Sequence, residues 1–334
     1  PAMMITVFVL LSNFIIKGIG KKNTVLLGLA IIFIFGLVPV FTTNFKIVFI
    51  SRLLLGAGIG LFNSLSISMI SDFFDEDTRG TMIGMRTAFL NIGKALTTFI
   101  SGYLIVYGVQ YTFLVYALAL PIFVLFLVFV PNPKNNESKQ ISIKFHKETI
   151  ILTLLTLLVG ISYMGATIKI PTLLVEKYHL HPEVSRNLLT ILAISGIFSG
   201  FLFGELVKKF KNLTLSIMLL FMTCGSFIFA IFHNSILFTI GAILIGISFV
   251  GTMSFNFFYI SKKLENKYIN FATSVVLVGG NIGVILTPIV LTKLPEIFKL
   301  EKYITPFYIT TILMLICTII SYFALKNDKK NKTS

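Results

Sequence analysis

The segment Arg52-Leu-Leu-Leu-Gly-Ala-Gly-Ile-Gly opens the first of two long apolar runs that decide the fold of this chain. That run continues to Ile70, and the charged turn 71–80 follows it. The second run carries Asn91-Ile-Gly-Lys94-Ala-Leu-Thr-Thr. Each run is long enough to cross a bilayer as a helix, although each contains a cation. The turn therefore predicts an antiparallel pair of membrane helices.

The composition extends this prediction to the whole chain. Of its 334 residues, 56% are hydrophobic and only 12% are charged, which excludes a soluble globular protein. The apolar runs are continuous rather than alternating, which excludes a membrane β-barrel. The net charge of +15 comes from lysines in short connectors, a pattern typical of cytoplasmic loops, so we expect no nucleic-acid partner. The predicted class is an all-α polytopic membrane protein.

Eleven membrane spans are predicted. They lie near residues 1–16, 24–42, 47–70, 81–106, 111–130, 149–173, 188–206, 213–232, 236–260, 269–291 and 305–325. The polar segment 131–148 predicts a central linker between an N-terminal half at 1–130 and a C-terminal half at 149–325, and a basic tail closes the chain at 326–334. Two matched halves need an even number of spans. We therefore expect one further helix before Pro1, so that the halves hold helices 2–6 and 7–12 of twelve.

Lysine and arginine are unequally divided between the two sides of the predicted membrane. Eighteen lie on the side of the linker, six lie on the opposite side, and four fall within spans. Because cytoplasmic loops are enriched in these residues, the linker and the C-terminal tail are predicted to be cytoplasmic. We expect a multi-pass protein of a bacterial inner, or plasma, membrane.

An internal repeat supports the division into halves. The segment Asn281-Ile-Gly-Val-Ile-Leu-Thr-Pro matches the segment that begins at Asn91, at an offset of 190 residues. The same offset relates Gly56 to Gly246. Parallel repeats of this kind predict that Asn91 and Asn281 face each other across a pseudo-two-fold axis along the membrane normal.

Short motifs then point to a family. Gly20-Lys21-Lys22 ends a turn similar to Gly-x-Leu-x-Asp-Arg-x-Gly-Arg-Lys, with Lys17 in place of the acid and Gly18 in place of the arginine. Arg52 begins the pattern Arg-x-x-x-Gly-x-Gly. With its two halves and central linker, the chain resembles the major facilitator superfamily of secondary transporters. The fifth-helix antiporter motif of that family survives here only at Gly93 and Gly102.

The resemblance implies a conformational latch on the cytoplasmic side. Gly20, Lys21, Asp72 and Arg79 occupy the corresponding positions, where the family locks one of two transport states. The alternative is a solvated turn, because exposed ion pairs contribute little to stability.

The cations within spans predict the substrate site. Helical rise places Arg52 roughly 9 Å below the outer surface and Lys94 about 22 Å above the cytoplasmic one, so the two lie at similar depth. Charges at this depth are costly, and all 13 acidic residues fall in connectors, tails or helix ends. We therefore predict that a bound anion compensates them between the two halves. The predicted substrate-binding residues are Arg52, Lys94, Asn91, Asn63, Thr98 and Asn281.

These observations predict a secondary transporter that moves a small anion by alternating access. Its expected partners are the small-molecule substrate, a possible coupling proton or ion, and the lipid bilayer, and we expect a monomer. No convergent group of catalytic or metal-binding residues points to an enzyme, a cofactor or a metal. Two alternatives stay open: a drug or metabolite efflux proton antiporter, and a membrane receptor or scaffold that transports nothing.

Overall fold

The computed structural model describes residues 2–132 and 144–330, and helices dominate it. They are α1 (Ala2–Phe41), α2 (Phe45–Phe73), α3 (Glu76–Leu104), α4 (Ala119–Phe129), α5 (Lys147–Thr172), α6 (Pro182–Phe210), α7 (Leu213–Ile231), α8 (Ser235–Lys263), α9 (Asn266–Pro288), α10 (Leu294–Ile297) and α11 (Thr305–Lys330). Two 3₁₀ segments, Ile105–Tyr107 and Val109–Leu118, connect α3 to α4. Single π-helical turns, Leu173–Lys177 and Ile289–Lys293, follow α5 and α9.

Ten helical segments of the described chain are long and apolar enough to cross a membrane. The first of them covers two of the predicted spans, because α1 continues through the basic turn expected at 17–23. A helix of 40 residues is about 60 Å long, twice the thickness of the hydrocarbon core. Gly20 divides it, with φ of 82° and ψ of 167°, a conformation that a residue without a Cβ adopts most easily.

The described residues form two compact units, which do not coincide with the two halves of the sequence. The first unit contains the chain up to Asp75 together with Ile92–Ile150 and Ile260–Val278. Its α1 and α2 approach through glycines: a Cβ on Gly58 would lie 2.8 Å from the carbonyl oxygen of Gly28. Small residues at such crossings let the backbones of membrane helices pack closely.

The second unit contains Glu76–Asn91, Ile151–Tyr259 and the chain from Gly279. Stacked aromatic rings mark its core, with Phe229 between Phe238 and Phe307 at centroid distances of 5.2 and 5.4 Å. Each unit therefore includes a short piece from the other half of the sequence. The helices α3 and α9 each contribute to both units.

The connecting segments are only partly covered. Residues 133–143 of the predicted linker lie outside the described residues, and α5 begins at Lys147, close to the predicted end of the linker. At the C-terminus, α11 continues to Lys330 and therefore includes the first residues of the predicted tail, whereas residues 331–334 lie outside the described part.

Candidate functional site

Arg52, the first predicted substrate-binding residue, is half-buried in the first unit. Its guanidinium donates to the carbonyl oxygens of Phe35 and Gly36 in α1, at 3.4 and 3.0 Å. It also lies over the rings of Phe113 and Tyr116, 4.7 and 5.3 Å from their centroids. Backbone carbonyls and aromatic faces both stabilise a guanidinium, so Arg52 has protein partners where the sequence suggested a bound anion.

Three other predicted substrate-binding residues, Asn91, Lys94 and Thr98, follow one another along one face of α3. Lys94 and Thr98 are exposed, and the amide of half-buried Asn91 donates to the carbonyl oxygen of Thr87 at 3.0 Å. Their spacing of three and four residues places them in successive helical turns. The face therefore offers one cation and two hydrogen-bonding groups.

The remaining two predicted substrate-binding residues lie on other helices. Asn63 is half-buried on α2, where its carbonyl oxygen accepts from the Ser66 hydroxyl at 2.9 Å. Asn281 is half-buried on α9 and belongs to the second unit. That these two line a substrate site stays a prediction.

Two residues of the predicted latch, Lys21 and Asp72, form a close ion pair. Lys21 Nζ lies 2.6 Å from Asp72 Oδ2, and the two side chains are only 4% and 13% exposed. Lys21 directly follows the kink at Gly20. The non-helical glycine therefore sets the direction of the first part of α1 relative to the ion pair. Arg79 is half-buried at the start of α3, in the second unit. A latch function for these residues stays a prediction.

A cluster of buried amides, which the sequence analysis did not single out, lies inside the first unit. Asn270 of α9 donates to the side-chain oxygen of Asn13 in α1 at 2.8 Å, and Asn13 in turn lies 3.3 Å from the Ser274 hydroxyl. All three side chains are at most 1% exposed. This amide cluster joins a helix of the N-terminal half to a helix of the C-terminal half.

In the second unit, hydroxyl side chains make the contact between the same two halves of the sequence. The Ser254 hydroxyl of α8 donates to Thr87 Oγ1 of α3 at 3.1 Å, and both side chains are buried. Beside it, α3 and α6 cross at Gly84 and Gly200, where a Cβ on Gly200 would lie 2.8 Å from the backbone nitrogen of Ala88. This small-residue crossing consists mainly of backbone against backbone.

A sequence signal for the amide cluster existed. Asn13 and Asn270 fall in or beside apolar spans, and an amide at such a position requires a hydrogen-bonding partner. The sequence could not identify that partner, because the two residues are separated by 257 positions.

Outside the spans, ion pairs connect the end of α5 to the α10–α11 connection within the second unit. Lys177 bonds to Glu301 at 3.0 Å, and Lys302 lies 3.8 Å from Glu176. Partial burial opposes ionisation of Glu301, but hydrogen bonds from the backbone of Ile304 and from Lys177 outweigh it and lower its pKa. This external pair group is largely exposed.

Long apolar helices joined by buried polar contacts define the class of polytopic membrane proteins to which secondary transporters belong. The family model of the Major Facilitator Superfamily matches residues 1–288 and 152–334. The chain therefore belongs to the Major Facilitator Superfamily, a family of transporters rather than enzymes.

Named relatives agree with this assignment. The chain is 27% identical over 202 residues to an uncharacterized transporter of Rickettsia bellii, covering 57% of this chain and 50% of the relative. It is 27% identical over 255 residues to a probable sugar efflux transporter of Haemophilus influenzae, covering 69% of this chain and 62% of the relative. The chain thus spans half to two thirds of the length of these relatives.

Solved structures show the same fold. The human organic anion transporter TETRAN superposes with a TM-score of 0.82 at 12% identity, covering 96% of this chain and 81% of that chain. The E. coli fucose:proton symporter superposes with a TM-score of 0.74 at 13% identity, covering 96% and 88%. At this level of identity the similarity concerns the fold alone.

Proposed function

We propose that this protein is a secondary active transporter that moves a small anion across the inner membrane by alternating access. The observation that carries the proposal is that uncharged, buried contacts join the two halves of the sequence at two separate places. The amide cluster of Asn13, Asn270 and Ser274 does so in the first unit, and the Thr87–Ser254 pair does so in the second. Hydrogen bonds of this kind can break and re-form, as alternating access requires.

Lys94 is the proposed anion-binding residue. It lies about 22 Å along α3 from Arg79, so it falls well inside the span, where a cation is costly unless water or a counter-charge reaches it. Asn91 and Thr98 on the same face can donate hydrogen bonds to an anionic ligand. Arg52 is held by carbonyls of α1 and by aromatic rings, so we assign it the supporting role of joining α2 to its neighbours in the first unit.

The test of the anion site is the substitution Lys94→Met in proteoliposomes. Loss of a charged hydrogen bond costs about 1.5–3 kcal/mol, so half-saturation for the anion should rise roughly 10- to 100-fold. Lys46→Met, at an exposed position at the start of α2, is the matched control and should change nothing. A panel of small carboxylates, phosphate and a neutral sugar serves as substrates. Equal anion flux through both variants would exclude the site.

Efflux of a neutral sugar is the second candidate, because relatives of this chain are named as probable sugar efflux transporters. The same panel separates the two functions. A sugar transporter would move the neutral sugar and keep its half-saturation in the Lys94→Met variant. A receptor or scaffold would move none of the probes.

We further propose that the chain holds eleven helices of a twelve-helix bundle. The kink at Gly20 supports two spans within α1. The repeat supports a further helix: Gly283 packs directly against the backbone of Leu157 in α5, whereas a Cβ on its repeat equivalent Gly93 would meet no described atom within 4 Å. A helix equivalent to α5 would cover Gly93.

The proposed orientation puts the linker and the C-terminal end of α11 in the cytoplasm. Single cysteines at Glu183, which is 63% exposed, and Lys208, which is 55% exposed, test it in a Cys224→Ser background. An impermeant thiol reagent should label Glu183→Cys in intact cells and label Lys208→Cys only after lysis. The reverse pattern would invert the topology.

A further inference from the structure

Five lysines lie in the two segments where α5 begins and where α8 passes into α9. These lysines, which we call the basic junction, are Lys144, Lys147, Lys262, Lys263 and Lys267. All belong to the first unit, and each lies at or within a few residues of the end of a membrane span. The same two segments contain two acidic residues, Glu148 and Glu265, so the lysines are in excess.

Ring contacts hold the two segments of the basic junction together. Phe145, just before α5, meets Phe271 of α9 edge to face, with ring centroids 5.1 Å apart. The next residue, His146, makes the same kind of contact with Tyr268 at 4.7 Å. The lysines beside these aromatic residues in the sequence therefore share one region of the protein surface.

The surroundings of Glu265 show that charges from both segments act on the same place. Its Oε2 atom lies 2.6 Å from Lys267 Nζ. The hydrogen bond and the charge of Lys267 lower the pKa of Glu265 against an opposing effect of burial, and the charges of His146 and Lys144 lower it further. One carboxylate is thus shared between cations of the two segments, and it cannot neutralise all of them.

The surface beside these lysines is apolar. Phe145 is 61% exposed, and it follows Lys144 directly in the sequence. Ile150 is 49% exposed and lies one helical turn beyond Lys147, on the same side of α5. Lysines next to exposed apolar side chains at the end of a span match the boundary between lipid headgroups and acyl chains. A soluble polyanion would make no use of the apolar part.

We infer that the basic junction binds the phosphate headgroup of an anionic phospholipid, in the membrane leaflet on the side of the predicted linker. Clusters of lysine beside membrane helices attract anionic lipids, and here the lysines come from the ends of three helices. Phe145 and Ile150 would contact the first part of an acyl chain. The inference goes beyond the proposed function, because lipid binding does not require transport.

Thermal unfolding of the purified protein in a neutral detergent tests this binding. In a Cys224→Ser background, a thiol-reactive dye reports unfolding through Cys317, which is buried in the native state. Added phosphatidylglycerol should raise Tm in a saturable manner, because a ligand that binds only the native state stabilises it. Phosphatidylcholine with the same acyl chains has no net charge and should not raise it. Equal Tm in the two lipids would overturn the inference.

A pair of double variants assigns the effect to the basic junction. Lys144→Gln/Lys147→Gln removes two charges, each worth about 1 kcal/mol, so the phosphatidylglycerol concentration for half of the shift should rise roughly 30-fold. Lys208→Gln/Lys209→Gln is the matched control, because these are two exposed lysines in the last turn of α6. The control should keep the wild-type concentration. Equal effects of the two double variants would mean diffuse attraction to a basic surface and would overturn the site.

Glu265→Gln tests the same site through a gain of binding, which a damaged fold would not produce. Its carboxylate competes with a lipid phosphate for Lys267. Removal of this one negative charge should lower the phosphatidylglycerol concentration for half of the shift roughly fivefold. An unchanged or raised concentration would overturn the inference.

The deacylated headgroup, glycerophosphoglycerol, distinguishes a lipid site from a site for soluble anions. It carries the same phosphate and no acyl chain, so it should leave Tm unchanged at the concentrations at which the lipid acts. An equal shift with this headgroup would overturn lipid binding in favour of a soluble anion.

Flux measurements separate this inference from the proposed function. A Tm that depends on phosphatidylglycerol, without any solute flux, would support the lipid site and exclude the transporter. Anion flux together with a Tm that is insensitive to phosphatidylglycerol would exclude the lipid site and leave the transporter standing.

Discussion

The two units join the halves of the sequence by different means. In the first unit the joint is the amide cluster, in which Asn13, Asn270 and Ser274 bond to one another in full burial. In the second unit it is the small-residue crossing, where Gly84 and Gly200 bring two backbones together beside the Thr87–Ser254 pair. A buried amide requires a hydrogen-bond partner but tolerates some movement of the helices. A glycine at a close helix crossing requires no partner but leaves no room for a side chain.

This difference predicts that the two units respond to substitution in different ways. A substitution in the first unit should act mainly through an unpaired polar group, and one in the second should act mainly through volume. Both the loss of a hydrogen-bond partner from a buried polar group and the addition of atoms to a well-packed site destabilise the fold. Only the loss of a partner can be rescued by a second substitution, which removes the polar group that was left unpaired.

The largest effect is expected in the first unit, at the ion pair of Lys21 and Asp72. Lys21→Met would remove the ammonium group that lies 2.6 Å from Oδ2 of Asp72, a side chain that is only 13% exposed. Removal of one partner from a buried pair costs about 3–5 kcal/mol. Lys22→Met is the control, because that lysine bonds to the carbonyl oxygen of Leu127 at a more exposed position. Thermal unfolding should distinguish the two variants clearly, and similar Tm values would show that the pair is not a structural lock.

The next effect is expected at the small-residue crossing. Gly84→Leu would drive its side chain into the backbone of Gly200 and into Phe203, and overpacking of this kind costs about 1–3 kcal/mol or more. Gly102→Leu, on the same helix, is the matched control, because a Cβ there meets nothing within 4 Å. The fraction of monodisperse protein after solubilisation measures the difference. If both variants behaved alike, close approach of α3 and α6 would not limit the fold.

The sequence predicted much of this architecture, for physical reasons that particular residues illustrate. Apolar runs long enough for the bilayer indicated the helices, and the structure has such helices. Duplication, which the repeat around Asn91 and Asn281 indicated, stays a prediction. A basic turn was predicted at Lys17 to Asn23 between two spans, but the helix α1 continues through it and is interrupted only at Gly20. Charge patterns cannot distinguish a connector from a kinked helix.

The contacts of the candidate site residues could be predicted from the sequence less well than the helices could. Arg52 was predicted to need a bound anion, since no carboxylate lay at its depth, and the structure shows that carbonyls and aromatic rings also contact its guanidinium. That Arg52 binds substrate stays a prediction. Carbonyl acceptors leave no signal in a sequence, because every residue carries one. For the same reason the partnerships of Asn13 and Ser254 became visible only in three dimensions.

A smaller effect than that of the glycine crossing is expected for the amide cluster. Asn270→Leu would leave the Asn13 side chain without its donor, at a cost of about 1–2 kcal/mol. The double variant Asn13→Leu/Asn270→Leu removes both polar groups and should recover part of the lost stability. A double-mutant cycle on Tm measures the coupling. Additive losses would mean that the two amides do not act on each other.

The smallest effect is expected at the external pair group, where Glu301 bonds to Lys177 at 3.0 Å and is 44% exposed. Solvent screens such a pair, so Glu301→Gln should cost less than about 1 kcal/mol at neutral pH. Folding lowers the pKa of Glu301, because hydrogen bonds from Ile304 and Lys177 outweigh the opposing effect of partial burial. Its contribution is therefore complete above the pKa of the unfolded chain, which is about 4.3 for glutamate, and disappears as the pH falls through the lower pKa of the folded state. The difference in Tm between the wild type and Glu301→Gln should accordingly be constant from about pH 7 to pH 5.5 and shrink toward pH 3. A difference that grew on acidification would mean that folding raises this pKa, and the bonds to Ile304 and Lys177 would then not be the dominant influence on the carboxylate.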